Sequence, residues 1–406
     1  MGAEESRPRY TLVPPVFKRR RPLRFVEAHE REYDEAGKEV RRLLSDLYTT
    51  DSSVSGEFFA SPEENVDCYA EIHHPYQSVG GNTIEGSALF TVRSEPMTVE
   101  GLLFSKNGGG ASITLGYRTK DDSTTSYVAA EHMVNKPGGG SGTDLKAGIF
   151  YRYKYLSCGA SVTSPLDLTL NAASQRGGLQ ALRQRVDGNV WAMFKQGTVA
   201  LGTACQLVDG RPDALNGVIC YRNQWTRPDE PCTELTIRTT QKIADGQSAP
   251  TFHGSYYQRM VTRRKVQNPF EEANVQFITN YVDLGVETTV AATGTKMAVG
   301  AAWQVNKNTL VKGKIGNSAF SFLVAAKSWW DPSATVALTV SKPFDGASRG
   351  TRIGLAFSIE NWGGIGYHRP SDTYKRYVPM QMDRVSDETE PDTAEALLRR
   401  QKTAAN

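Results

Sequence analysis

The sequence predicts an all-β fold, a transmembrane β-barrel of about nineteen strands with an N-terminal amphipathic helix, and three observations predict it. Segment after segment alternates apolar and polar with period two. In TRIGLAFSIE (351–360), Ile353, Leu355, Phe357 and Ile359 share one parity, and Arg352, Gly354, Ala356, Ser358 and Glu360 the other. Such alternation is a strand with one face out of water. These segments, about ten residues each, run from about residue 52 to 360 through short Gly-, Asn-, Asp- and Pro-bearing links, with no helix-sized insertion. The opposite parity reads as Gly, Ser, Thr and isolated charge, which a wet lumen tolerates.

The 406 residues admit two or three ordinary domains or one large barrel. No run of 18 apolar residues exists, which excludes a membrane-spanning helix. It does not exclude a barrel, because a strand crosses with about 9 to 11 residues and is apolar on one face only. With 47 basic and 44 acidic residues, the charge is too balanced to point to nucleic acid as a direct partner. Cys68, Cys158, Cys205, Cys220 and Cys232 are odd in number and form no C-x-x-C pair, which argues against a disulfide framework or a zinc site.

The elements follow in order. Residues 1–23 read as a flexible basic arm whose cluster, Lys18, Arg19, Arg20 and Arg21 with Arg24 beyond, is a solvated tail or a docking site for acidic lipid or a protein partner. Its opening, MGAEESRPRY, lacks the apolar core of a secretory signal and carries acids that a mitochondrial presequence avoids, so no cleavable leader is expected. It also matches the short N-myristoylation pattern at Gly2 and Ser6. Residues 24–50 read as a helix: Tyr33, Ala36, Val40, Leu43 and Leu47 make one apolar stripe, with Glu39, Arg41 and Arg42 off it. An amphipathic helix packs on something.

Residues 51–360 hold nineteen to twenty-one alternating segments, least clear between 165 and 187, where a strand and then a loop are expected. A soluble sandwich has fewer, shorter strands, and no fixed period supports a propeller or solenoid. Closure into one barrel is the economical way to leave no open edge. Trp225, Trp303, Trp329, Trp330 and Trp362 lie near segment ends, as interfacial girdle residues would. Residues 361–406 form a polar tail in which PDTAEALLRR is a short helix candidate, capped by Asp392 with Glu395.

Alternation assigns Arg93, Lys146, Arg152, Arg222, Arg238, Lys312, Lys314 and Arg352 to the pore-lining face, against Glu85, Glu234 and Glu287. That surplus of positive charge predicts a weak preference for small anions, weakening with salt; the same charges also serve simply to keep a lumen wet. There is no phosphate loop, nucleophile elbow or H-E-x-x-H motif, so no catalytic residue, metal or cofactor is expected. His73 and His74 are adjacent on a strand and point to opposite faces, which argues against a shared metal.

The segment GAAWQVNKNTLVKGKIGNSAFSFLVAAK (300–327) resembles the late strands of the mitochondrial porins, with an N-K-N-T turn, then K-x-K, then an N-S turn. At the other end, YDEAGKEVRRLLSDLY (33–48) resembles their N-terminal helix, through Tyr33, Gly37, Lys38, Val40, Arg41 and Leu44, with Leu43 and Leu47 on the same helix. Arg352, Gly354, Phe357 and Ile359 occupy the four defined places of the family's sorting signal in the closing strand. The resemblance spans roughly residues 30 to 360. It implies a mitochondrial outer-membrane barrel of nineteen strands, the first and last paired in parallel and the helix folded against the inner wall, passing small hydrophilic solutes.

Two departures, the basic arm and the tail after Glu360, open an alternative: a protein-binding barrel, either an import pore or a structural anchor for mitochondrial genome segregation. A soluble all-β binding protein is the third reading.

Overall fold

The computed structural model describes residues 9–11, 25, 33–49, 52–63, 65–75, 84–105, 109–121, 123–134, 141–166, 186–223, 231–243, 249–264, 275–306, 308–328, 332–344 and 350–361. A short strand, β1 (Arg9–Thr11), precedes a 3-10 turn (Tyr33–Glu35) and one helix, α1 (Lys38–Ser45). The first barrel strands are β2 (Ser53–Glu63), β3 (Val66–Pro75), β4 (Glu85–Ser94), β5 (Met97–Phe104), β6 (Gly110–Arg118) and β7 (Thr124–Met133). Then come β8 (Gly142–Tyr153), β9 (Leu156–Pro165), β10 (Asp187–Gln196), β11 (Val199–Val208), β12 (Arg211–Arg222) and β13 (Cys232–Lys242). The last seven are β14 (Thr251–Arg264), β15 (Val275–Ala291), β16 (Gly294–Asn306), β17 (Thr309–Gly316), β18 (Ala319–Ser328), β19 (Ser333–Pro343) and β20 (Arg352–Asn361).

Each strand from β2 to β20 pairs antiparallel with the next, and β2 then pairs in parallel with β20 through Val54↔Leu355 and Phe58↔Ile359. One sheet of 19 strands therefore closes on itself, with the parallel seam that the resemblance implies. An odd number forces that seam: strands running alternately up and down return to the start in the same sense. Short links suit the twist of the hairpins. Between β11 and β12, Asp209 (φ 50°) and Gly210 (φ 68°) both take positive φ, the backbone that a two-residue hairpin turn requires.

Alternation decides what faces outward. Each of the 19 barrel strands carries at least one large apolar side chain exposed on the outer wall, among them Ile113, Ile149, Ile219, Phe322 and Ile353. The buried clusters lie inside the barrel instead. One joins Tyr33 and Ala36 to Tyr127, Phe150, Trp191 and Val218; the other joins Val40, Leu43, Leu44 and Leu47 to Tyr257, Leu310 and Leu323.

Two sequence expectations change. Among the described residues of the helix expected over 24–50, Phe25 is helical, Tyr33–Glu35 form a 3-10 turn and the continuous helix is Lys38–Ser45, because Gly37 (φ 74°) and Leu47 (φ 70°) turn the chain left-handed on either side of it. Residues 26–32 lie outside the described residues, as do most of the basic arm and the tail after Asn361 with its helix candidate. The inner face is not uniformly polar: Tyr127 stacks on Phe150 at 5.8 Å and Phe150 on Trp191 at 6.4 Å, all three buried. These rings lie over Gly148 and Gly159, where a Cβ would strike them. Trp191 is thus an interior residue. Trp303 does sit exposed on the outer wall, while Trp225, Trp329, Trp330 and Trp362 fall outside the described residues.

β14 and β15 are the longest neighbours, pairing from Phe252↔Val290 to Arg264↔Ile278. β16 meets β15 only from Val282 onward, so the hairpin overhangs the rim. β1 runs parallel to that overhang, Arg9↔Val275 and Thr11↔Ile278.

Candidate functional site, the barrel interior

The interior is defined by the inner wall and by the segment that runs along it, residues 33–49 with Phe25 ahead of them. This segment crosses most of the wall. Phe25 lies against Gly116 of β6, Tyr33 against Gly202 of β11, Leu43 and Leu44 against Gly285 of β15 and Gly300 of β16, and Thr49 against Gly354 of β20. A Cβ at Gly285 or at Gly300 would stand 2.7 Å from a leucine methyl, closer than carbon atoms pack. Glycine at these inner positions lets the segment lie close to the sheet.

Polar contacts fix the segment. Glu100 of β5 accepts from Phe25 N–H at 2.7 Å, and Glu234 of β13 accepts from Gly37 N–H at 2.6 Å. Arg238, four residues along β13, donates to the Ala36 carbonyl at 2.5 Å and lies 5.5 Å from the Tyr33 ring centre. At the far end of α1, Lys312 donates to Asp46 O and Lys314 to Leu44 O, both at 2.8 Å. The carbonyls that end a helix carry partial negative charge and lack partners within it, so these two ammonium groups cap α1 from the wall. Both also lie over the Tyr48 ring, at 4.9 and 4.3 Å from its centre.

The eight predicted pore-lining cations all lie on the inner parity, but most are engaged. Arg93 pairs with Asp67 and Lys146 with Glu131, each at 2.5 Å. Arg222 stands 3.7 Å from Glu234 and 3.9 Å from Glu39. Arg238, Lys312 and Lys314 hold the inner segment. Arg152 sits at the end of β8, two positions from Phe150 on the same face. Arg352 lines a cavity of about 410 Å³ beside Leu44, together with Glu287, Lys296 and Lys314.

Alternation also places Glu57, Asp67, Glu100, Glu131, Asp283 and Glu360 on this wall, in addition to the expected Glu85, Glu234 and Glu287. Asp283 takes Arg259 in a two-point contact at 2.8 and 3.0 Å, and Glu360 takes Lys327 at 3.1 Å. The surplus of fixed positive charge inferred from sequence is therefore largely neutralised. Part of this is marked in the alternation: Asp67, Glu131 and Asp283 each share the inward parity with a cation on an adjacent strand, Arg93, Lys146 and Arg259, whereas Glu360 meets Lys327 from two strands away.

The four residues at the sorting-signal places split between faces. Arg352 and Gly354 point inward, whereas Phe357 faces out and lies over Gly56 across the parallel seam, where a Cβ would meet its ring. Ile359 opposes Phe58 in the same seam. His73 and Glu85 are register partners, and no group of three or more potential metal ligands occurs among the described residues.

What the fold and interior define is a class: a closed 19-stranded β-barrel, apolar outside, with a chain segment held against its inner wall. No family model matches the chain, and no curated protein matches it.

Proposed function

We propose that the protein is a membrane-spanning barrel of the mitochondrial porin family, in the mitochondrial outer membrane, through which small hydrophilic solutes pass passively. The observation that carries this reading is the ring of exposed large apolar residues on all 19 strands. A water-exposed ring of that extent would drive association, because monomeric soluble proteins keep apolar patches to a few hundred Å². Hydrocarbon is the solvent in which such a wall is stable, and strands of about ten residues tilted in a barrel cross it. The polar half of each strand, turned inward, supplies a wet path narrowed by α1. Because Arg93, Lys146 and Arg222 are paired within the wall and Arg238 is bonded to the inner segment, discrimination by charge is weak, with small anions favoured only slightly.

Reconstitution into planar bilayers under a salt gradient tests this. Stable conductance with a small reversal potential of anion-selective sign is expected. Cation selectivity would remove the charge reading, and a monodisperse polypeptide without detergent and without conductance would remove the whole.

A protein-binding barrel is the second reading, favoured by the β14–β15 overhang with β1 added to its edge. An extended strand edge beyond the wall is a place where another chain can add. Deleting the residues after Glu360 or those before Phe25 separates the readings: loss of a stable complex with conductance intact favours an import pore or anchor over a solute channel.

A further inference from the structure

The contacts between wall and inner segment have a common character. Glu100 and Glu234 accept from backbone N–H groups, and Arg238, Lys312 and Lys314 donate to backbone carbonyls. Thr339 of β19 does both, with the Leu47 carbonyl and the Thr49 N–H. Ala36 C=O and Gly37 N–H belong to one peptide group. Glu234 and Arg238, on the same face of β13, therefore grip a single amide from both sides. Arg222 in turn stands beside Glu234 and keeps its carboxylate compensated.

We infer that the inner wall from β13 to β17 is a polypeptide-binding site in its own right, able to take an amphipathic helical segment of another chain whenever the resident segment is displaced. Charged groups aimed at backbone atoms read any chain that presents the right amide. Side chains enter only through fit. Gly37 has φ 74°, and a Cβ there would lie 3.2 Å from Ser255 Oγ, so the clamp requires glycine at this point. Ala36, buried to 1% exposure beside it, requires a small residue. The glycine floor at Gly285 and Gly300 then requires apolar residues three, six and seven positions after the glycine, where Val40, Leu43 and Leu44 now sit. The ligand is thus an amphipathic peptide with the pattern small, Gly, two of any kind, apolar, two of any kind, apolar, apolar. This inference rests on the barrel and its wall, not on solute conduction.

A fluorescent synthetic peptide of residues 33–49 tests it against the full chain in detergent or nanodiscs. The wild-type chain, its track occupied, is the control. Gly37→Pro removes the clamped N–H and the positive φ, and Val40→Asp expels the apolar stripe; either should vacate the wall. Both variants, checked for folding by strand content, should bind the peptide saturably and about tenfold or more tighter than wild type. Replacing glycine by N-methylglycine in the peptide, or adding Glu234→Gln to the wall, should each weaken binding about tenfold, the scale of one hydrogen bond to a charged group. Changing the exposed Glu35, Arg42 and Ser45 of the peptide should not. Equal binding by wild type and variants, or by the N-methylated peptide, would place the peptide elsewhere and overturn the inference. So would absence of saturable binding to a folded variant. Conductance is not the readout, so failure here leaves the channel reading standing.

Discussion

Leu43 of α1 rests on Gly285 of β15 so closely that a Cβ on the glycine would lie 2.7 Å from the leucine Cδ2. The helix thus sits on a floor with no room for a side chain. Gly285→Val should force α1 off the wall or strain the strand, an overpacking cost of about 1–3 kcal/mol. Thermal unfolding by circular dichroism should show a lower midpoint, and Gly313→Val, where a Cβ would meet nothing, should not. Equal effects at both sites would mean that the helix does not rest here.

Lys312 should matter more through the helix than through the solute. Lys312→Met leaves the Asp46 carbonyl without its charged donor, at a cost of about 1.5–3 kcal/mol. In a Leu47→Cys background, labelling by a water-soluble maleimide should accelerate about tenfold or more when Lys312 is replaced, because Leu47 is now buried. Unchanged labelling would detach the lysine from the helix.

The outer wall separates hydrocarbon from water. Ile219 is 55% exposed on that wall, so in a water-soluble barrel Ile219→Arg would shift stability by no more than about 0.5 kcal/mol. In a bilayer it should cost about 2–4 kcal/mol at mid-depth. Asn216→Arg, turned inward on the same strand, should be tolerated in both media. Unfolding from lipid vesicles with urea reads the difference, and a neutral Ile219→Arg would defeat the membrane reading.

Arg259 lies 7% exposed between the rings of Tyr257 and Tyr281, each 5.8 Å away, and holds Asp283 at two points. Asp283→Asn should leave a buried cation without its counter-charge, which costs about 3–5 kcal/mol. The double change Arg259→Met with Asp283→Leu should recover much of that, since it removes both charges. A double variant as unstable as the single one would show that packing, rather than the orphaned charge, dominates.

The strands were legible because alternation is a local property. TRIGLAFSIE and its counterparts turn apolar on one side whatever the rest of the chain does. The inner aromatic stack carries a local mark too, but a misleading one: Phe150 shares parity with Lys146, Gly148 and Arg152, on the face that reads as polar. Paired acids were missed for a related reason. Asp67 and Glu131 attract no notice until the neighbouring strand brings Arg93 and Lys146 to within 2.5 Å. The full length of the helix was misjudged because its apolar stripe continues through Gly37, where the backbone does not remain helical.

Period-two patterning, set by the covalent geometry of extended chain, determined from sequence alone that this protein is built of strands with one apolar face, and roughly how many. Closure was decided only in three dimensions, since the pairing of β2 with β20 joins residues some 300 positions apart that carry no local mark of each other. The same is true of Glu234 and Gly37: a carboxylate and an amide N–H become partners when the curved wall brings them together, and neither residue's neighbours in sequence foretell it.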